Sequence, residues 1–108
     1  MLQRVTEVAC AELRSADVIG RYGGEEFVIL LPMTTAQDAL PLAERIRVGV
    51  AAIRIPTEKG DASATISIGI AELKHTSGES LDSILICADK AMYAAKQAGR
   101  NCTVISEQ

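Results

Sequence analysis

Two glycines and two acidic residues stand side by side in the stretch Arg21-Tyr22-Gly23-Gly24-Glu25-Glu26-Phe27. Apolar runs flank the turn at residues 18–19 and 27–31. This pattern predicts a β-hairpin, because glycine tolerates the positive φ angles of a tight turn. Successive strand residues point to opposite faces of a sheet, so Glu25 and Glu26 are not expected to share a face. A carboxylate here is a natural ligand for a hard divalent cation, and the glycines would let a nucleotide approach the backbone. The alternative is a hairpin with a solvated acidic tip.

Two groups of cations could bind phosphate. Lys96 and Arg100 are four residues apart at the end of the last predicted helix, so they are expected to project from one helix face and to hold two oxygens of a polyphosphate. Compensation of the helix dipole is the simpler alternative. Arg14, Asp17 and Arg45 form a second candidate, an arginine-rich surface site for a phosphodiester or a guanine edge. For Arg14 and Asp17 the alternative is an ordinary charge at a helix end followed by an acid in a turn.

The composition limits the classes of function. The 108 residues predict one domain with a modest core. A formal net charge of -3 argues against duplex nucleic acid as a partner. Three cysteines, far apart and odd in number, predict buried thiols in a reducing compartment. No apolar run reaches the roughly 18 residues of a membrane span, and no signal peptide is evident, so the chain is expected to be soluble and cytoplasmic.

Apolar periodicity predicts the elements that position these residues. A helical stripe within residues 1–16 has no capping residue before it, so the chain is expected to begin inside a helix. Thr34 or Thr35 is predicted to cap a second helix, with an inward stripe of Leu40, Ala43, Ile46, Val50 and Ile53, a bend at Pro41, and Glu44, Arg45 and Arg47 facing outwards.

The second half of the chain predicts a turn, two strands and a long helix. Residues 58–61 carry a turn signal, and alternation over residues 65–73 predicts a half-buried strand. Residues 74–79 are expected to be a loop with His75 exposed. Ser80 is predicted to cap a long helix with an apolar stripe from Leu81 to Ala95, and Gly99 to end it. Residues 102–105 predict a last short strand.

Three blocks in this order resemble the GGDEF domain of bacterial diguanylate cyclases. They are the hairpin at residues 21–31, ATISIGIA at 64–71 and ADKAMYAAKQAGRN at 88–101. The resemblance covers essentially the whole chain, with the hallmark present as Gly-Gly-Glu-Glu-Phe. It implies an α/β (α+β) fold, the palm of nucleotide cyclases and polymerases, with helices on an antiparallel-rich sheet. It also implies that two GTP molecules are joined across a dimer into cyclic di-GMP, releasing pyrophosphate, with help from Mg²⁺ or Mn²⁺.

By this resemblance, the hairpin and the end of the last helix form the catalytic site. Glu25 is the implied metal ligand, also placed to help deprotonate the attacking hydroxyl, and Glu26 supports it. Gly23 and Gly24 let the nucleotide lie against the turn. Lys96 and Arg100 match the positions that contact the triphosphate.

The resemblance also implies a regulatory site. Arg14 and Asp17 match the family's RxxD inhibitory site, which binds the product cyclic di-GMP away from catalysis, and Arg45 matches a position that completes it. The spacing from Asp17 to Gly23 is the one that the family uses.

The chain departs from the family pattern at its start. The family's first strand, whose aspartate shares the metals, and the Phe-Lys-x-x-Asn-Asp and Gly-His-x-x-Gly-Asp stretches that contact guanine have no counterpart here. One glutamate at a turn is a poor cage for Mg²⁺. Residues 1–108 are therefore expected to be a single partial, N-terminally truncated domain that does not catalyse alone. The alternatives are a cyclic di-GMP receptor or a structural dimerisation piece. Because the absent strand would lie beside residues 27–31, a homo-oligomer with the hairpin at or near its interface is expected.

Overall fold

Three helices and six short strands make up the described part of the chain. The computed structural model describes residues 1–73 and 80–107, so the predicted loop at 74–79 with His75 lies outside the described residues. The helices are α1 (Leu2–Glu12), α2 (Ala36–Ala51) and α3 (Leu81–Gln97). The strands are β1 (Val18–Arg21), β2 (Phe27–Leu30), β3 (Ile55–Thr57), β4 (Gly60–Ala62), β5 (Ile68–Ile70) and β6 (Thr103–Ile105). No described helix is both long and apolar enough to cross a membrane.

The core lies between the first two helices and the hairpin. Val5 and Ala9 of α1 are buried against Ile46 and Val50 of α2, and Ile53 closes the cluster. β1 and β2 pair antiparallel over four residues each, which confirms the predicted hairpin. Its Ile19–Ile29 pair packs against this core. The neighbouring Val18–Leu30 pair belongs to the other face of the hairpin, where Val18 is 56% exposed.

A strand–helix–strand unit forms the other half of the fold. β5 and β6 pair parallel, and α3 connects them. Gly69 of β5 lies so close to α3 that a Cβ there would overlap the backbones of Ala88 and Met92. A residue without a side chain is therefore needed for α3 to pack directly on the strand. The strand predicted over residues 65–73 is shorter in the structure, because β6 offers a ladder partner to only Ile68–Ile70.

Local signals for the helix ends are confirmed. The Thr35 side chain caps α2 by accepting from the Asp38 backbone N–H at 3.1 Å, and Ser80 caps α3 through a reciprocal box with Ser83. α2 runs through Pro41 without interruption. Gly99 takes a φ of 113° just after α3, as a C-terminal cap requires.

Some predicted placements were wrong. α2 buries Ala39, whereas Leu40 is only half-buried, since the buried positions 39, 43, 46 and 50 share one face and residue 40 is turned away from it. Leu81, the first residue of α3, is 50% exposed. Cys10 is exposed and the other two thiols are half-buried, so the prediction of three buried thiols fails. The predicted turn is confirmed only at residues 58 and 59, because residues 60 and 61 already pair with β3 as part of β4. The three-residue strands β3 and β4 were not predicted.

Candidate functional site

The turn between β1 and β2 is held by backbone and side-chain hydrogen bonds. The Tyr22 N–H donates to the Glu26 carbonyl oxygen at 2.8 Å, and Gly23 has a φ of 78°. The Arg21 guanidinium donates from Nε and Nη2 to the Gly24 carbonyl oxygen, at 2.9 and 2.6 Å. Arg21 therefore fixes the position of the loop. This role of Arg21 was not predicted, although a long cationic side chain directly before a glycine turn was the available signal.

The two acidic residues of the turn have different surroundings. Glu25 is exposed at the tip, whereas Glu26 is half-buried where the chain re-enters the sheet. The Lys96 Nζ lies 4.0 Å from the Glu26 Oε2. Residues 70 positions apart are thus adjacent, and the end of α3 faces the glycine turn.

Arg100 does not lie on the helix face predicted for it. α3 ends at Gln97, and the Arg100 N–H folds back to the Ala95 carbonyl oxygen at 3.0 Å in a Schellman arrangement. Arg100 and Asn101 have φ angles of 65° and 48°, in the left-handed region. The expectation that Lys96 and Arg100 share a helix face is wrong, because the cap redirects the chain between them. Within the described residues, no hydrogen bond or ion pair joins the Arg100 side chain to the turn.

The carboxylates of the turn do not form a metal cage. Among residues 1–73 and 80–107, no group of three or more His, Cys, Asp or Glu side chains could hold a metal ion. Mg²⁺ requires near-octahedral oxygen coordination, of which Glu25 and Glu26 could supply only a small part. The described residues therefore do not by themselves fit the divalent cation that the resemblance implies.

Arg14 and Asp17 form a tight local pair between α1 and β1. The Asp17 Oδ2 accepts from the Arg14 backbone N–H at 2.8 Å and from its Nε at 3.2 Å, and Oδ1 accepts from Nη2 at 3.1 Å. The Asp17 side chain is 0% exposed and that of Arg14 is 61% exposed. The side-chain hydrogen bonds from Arg14 hold the pKa of the Asp17 carboxyl below its ordinary value, and the same bonds raise the pKa of Arg14.

A groove brings the three residues of the predicted regulatory site together. It has a volume of about 210 Å³, and its lining residues are Glu12, Arg14, Asp17, Met33, Thr34, Asp38, Leu42 and Arg45. Arg14 Nη2 donates to the Thr34 hydroxyl at 2.7 Å. Arg45 Nε donates to the Glu12 Oε1 at 2.8 Å. Glu12 and Thr34 were not predicted as site residues, because contacts across 33 and 20 residues leave no local signal in the sequence.

A second polar cluster ties α2 to the segment after α3. Arg47 donates to both carboxylate oxygens of Glu44, at 2.7 and 3.1 Å, and to the Asn101 side-chain oxygen at 3.0 Å. The Thr103 hydroxyl donates to Glu44 at 2.8 Å. Two hydrogen bonds to the Glu44 carboxylate lower its pKa, and the one from Arg47 has a larger effect than the one from Thr103. Arg47 is only 20% exposed, so the prediction that it faces outwards was wrong, since its guanidinium contacts Asn101 in the segment after α3.

Comparisons with known proteins find similar sequences over most of the chain. A family model described as "Diguanylate cyclase, GGDEF domain" matches residues 1–102. The chain is 40% identical to diguanylate cyclase A of Treponema denticola over 107 residues, which is 99% of this chain and 29% of that protein. It is 47% identical to diguanylate cyclase DgcM of Escherichia coli K12 over 93 residues, 86% of this chain and 21% of that protein. The chain thus spans less than a third of these relatives.

Solved structures show the same fold. The GGDEF domain of DgcB from Caulobacter crescentus, in complex with c-di-GMP, matches with a TM-score of 0.90 at 34% identity, covering 99% of this chain and 63% of that one. Diguanylate cyclase SiaD from Pseudomonas aeruginosa, in complex with its activator SiaC, matches with a TM-score of 0.89 at 37% identity, covering 97% of this chain and 40% of that one. The predicted mixed α/β fold is confirmed by these matches.

Proposed function

The chain belongs to the GGDEF family of diguanylate cyclases, and we propose that it contributes the glycine turn, the triphosphate cations and the product site of a domain that joins two GTP molecules into cyclic di-GMP. The observation that carries the proposal is the approach of Lys96 to the turn, with its Nζ 4.0 Å from the Glu26 carboxylate. A polyphosphate lying against Gly23 and Gly24 would meet this cation.

The groups around the turn have separate roles in this proposal. Gly23 and Gly24 offer a surface without side chains to the nucleotide. The Lys96 ammonium exchanges its long contact with Glu26 for a phosphate oxygen, and the Arg100 guanidinium binds the same triphosphate as a fork. A long, partly exposed ion pair such as Lys96–Glu26 contributes little by itself, so the exchange costs little.

The divalent cation enters the proposal only through Glu25. Diguanylate cyclases use divalent metal ions, and the exposed Glu25 carboxylate at the tip of the turn is the ligand that we assign to Mg²⁺ or Mn²⁺, with Glu26 beside it in support. Because the described residues contain no group of three metal-binding side chains, we expect that residues 1–108 do not turn over GTP by themselves. Cyclic di-GMP formed from GTP and Mg²⁺ by this chain, and lost in Glu25→Ala, would contradict that expectation.

Calorimetric titration with GTP tests the phosphate site. Lys96→Ala should weaken GTP binding at least about tenfold, since it removes a charge-assisted contact. Lys90→Ala is the matched control, because Lys90 is an exposed lysine on another face of the same helix. Equal weakening by both variants would leave only a non-specific charge effect and would refute the assignment of Lys96.

The groove supports a second candidate function, that of a cyclic di-GMP receptor. Arg14 and Arg45, with the acid Asp17, line one groove, and two guanidinium groups suit the two phosphodiesters of that ligand. The structurally similar DgcB domain is described in complex with c-di-GMP. Such a receptor would act through Arg14, Asp17 and Arg45 without needing catalysis.

Titration with cyclic di-GMP tests this second candidate. Arg14→Ala should weaken binding at least about tenfold, because the guanidinium provides charge-assisted hydrogen bonds. Arg4→Ala in α1 removes an arginine whose side chain is 52% exposed and pairs with Glu7 outside the groove, and it should leave the affinity unchanged. Equal affinity of Arg14→Ala and the unmodified chain would refute the site. Binding of neither GTP nor cyclic di-GMP would favour the remaining alternative, a structural dimerisation piece.

A further inference from the structure

The groove that holds Arg14 and Arg45 carries more acid than a phosphate site requires. The groove is lined by three acids, Glu12, Asp17 and Asp38, together with the two arginines. The sum of these side-chain charges is one negative charge. Cyclic di-GMP brings two further negative charges. The electrostatic balance of the groove therefore opposes the ligand unless one acid is displaced.

The two arginine–acid pairs in the groove differ in strength. Asp17 accepts three hydrogen bonds from Arg14, one of them from the backbone N–H, and its side chain is fully inaccessible. This pair is local in sequence and preorganised, so it is expected to persist when a ligand binds. Arg45 makes one hydrogen bond to Glu12 at 2.8 Å, and the Arg45 side chain is 58% exposed while that of Glu12 is 28% exposed. A single ion pair with an exposed partner is weak and readily exchanged.

The position of Glu12 indicates that its charge does not serve helix stability. Glu12 is the last residue of α1, where the negative end of the helix dipole disfavours a carboxylate. Its described contact is with Arg45, on another helix. No helix-capping or same-helix ion pair is described for it.

We propose that Glu12 is an internal competitor for the ligand phosphate at Arg45. In the free chain the Glu12 carboxylate is paired with the Arg45 guanidinium, and a phosphate of cyclic di-GMP replaces Glu12 as the partner of Arg45 when the ligand binds. Glu12 thereby sets the affinity of the groove, although it does not contact the ligand favourably. The inference rests on the proposed cyclic di-GMP site.

Glu12→Gln tests the inference most directly, because glutamine keeps the size of the side chain and an acceptor for Arg45 while it removes the charge. Titration calorimetry at constant ionic strength should show binding of cyclic di-GMP about fivefold tighter than in the unmodified chain, the gain expected when a partly exposed ion pair no longer competes. Glu7→Gln is the matched control, since it makes the same change in net charge on the exposed side of α1, where Glu7 is 59% exposed. It should change the affinity less than twofold.

A double-mutant cycle shows whether Glu12 acts through Arg45. In an Arg45→Ala background, Glu12→Gln should lose most of its fivefold gain, because the competed group is absent. Glu12→Ala provides a second variant if Glu12→Gln unfolds, with folding checked by circular dichroism. Measurable binding that is equal or weaker in Glu12→Gln would overturn the inference while leaving the site intact. Binding by none of these chains would overturn the proposed site and, with it, the inference.

Discussion

Replacement of Gly69 by alanine should destabilise the fold through the contact between β5 and α3. A Cβ at this position would approach the Ala88 carbonyl oxygen and the Met92 nitrogen more closely than 3.0 Å and would lie 3.0 Å from the Ala91 carbonyl carbon. All three atoms belong to the backbone of α3, so no side-chain rotamer change can relieve the overlap. The helix itself must move away from the strand.

The magnitude follows from the nature of this clash. Overpacking a core by one carbon costs about 1–3 kcal/mol, and a helix backbone as the obstacle places Gly69→Ala near the upper end. In the unfolded chain alanine has a lower conformational entropy than glycine, which offsets about 0.4–1 kcal/mol of this destabilisation. The net loss is about 2 kcal/mol, a large part of the roughly 5–15 kcal/mol of a small domain. Displacement of α3 should also separate Lys96 from Glu26 and weaken GTP binding.

Urea denaturation followed by circular dichroism measures this loss. With a slope of about 1–2 kcal/mol per molar urea, Gly69→Ala should lower the midpoint by about 1–2 M at unchanged slope. Gly20→Ala in β1 is the matched control, since a Cβ there meets no atom within 4 Å. It should leave the midpoint unchanged or slightly raised. Equal midpoints for the two variants would refute the packing of α3 directly on Gly69.

Three further expectations follow from the described contacts. Arg47→Ala should lower the urea midpoint more than Arg47→Lys, because only the planar guanidinium can bind Glu44 and Asn101 together. Equal midpoints for the two variants would contradict this role of Arg47. The pKa values of Asp17 and Glu44 are lowered in the folded chain, so their ionised forms stabilise the fold above the ordinary carboxyl range, and this contribution should be lost from about pH 4.5 downwards as both groups protonate. Glu44→Gln should therefore reduce the loss of stability on the acid side of a curve of stability against pH. An unchanged curve would argue against this linkage. β2 pairs only with β1 among the described strands, so sedimentation at micromolar concentration should show self-association through its apolar edge, and a compact monomer with exchange-protected β2 amides would exclude it.

Features that depend on a few neighbouring residues could be predicted from the sequence alone. The hairpin turn, the Thr35 and Ser80 caps and the Gly99 stop each follow from side chains or φ angles within about five residues. The same local motifs carry the resemblance to the GGDEF family. The apolar stripes of the helices were also predicted, except where one position lay at the margin of a face, as at Leu40.

Only the tertiary structure decided the features that depend on distant partners. The short extent of β5 is set by the length of β6, and the contact between Lys96 and Glu26 joins residues 70 positions apart. The Glu12–Arg45 and Arg47–Asn101 contacts join residues 33 and 54 positions apart. An exposed charged side chain satisfies the same sequence pattern whether it pairs or stays solvated, so periodicity could not distinguish the two states. The elements are local in origin, but the charge balance of the groove comes from how α1 and α2 pack together.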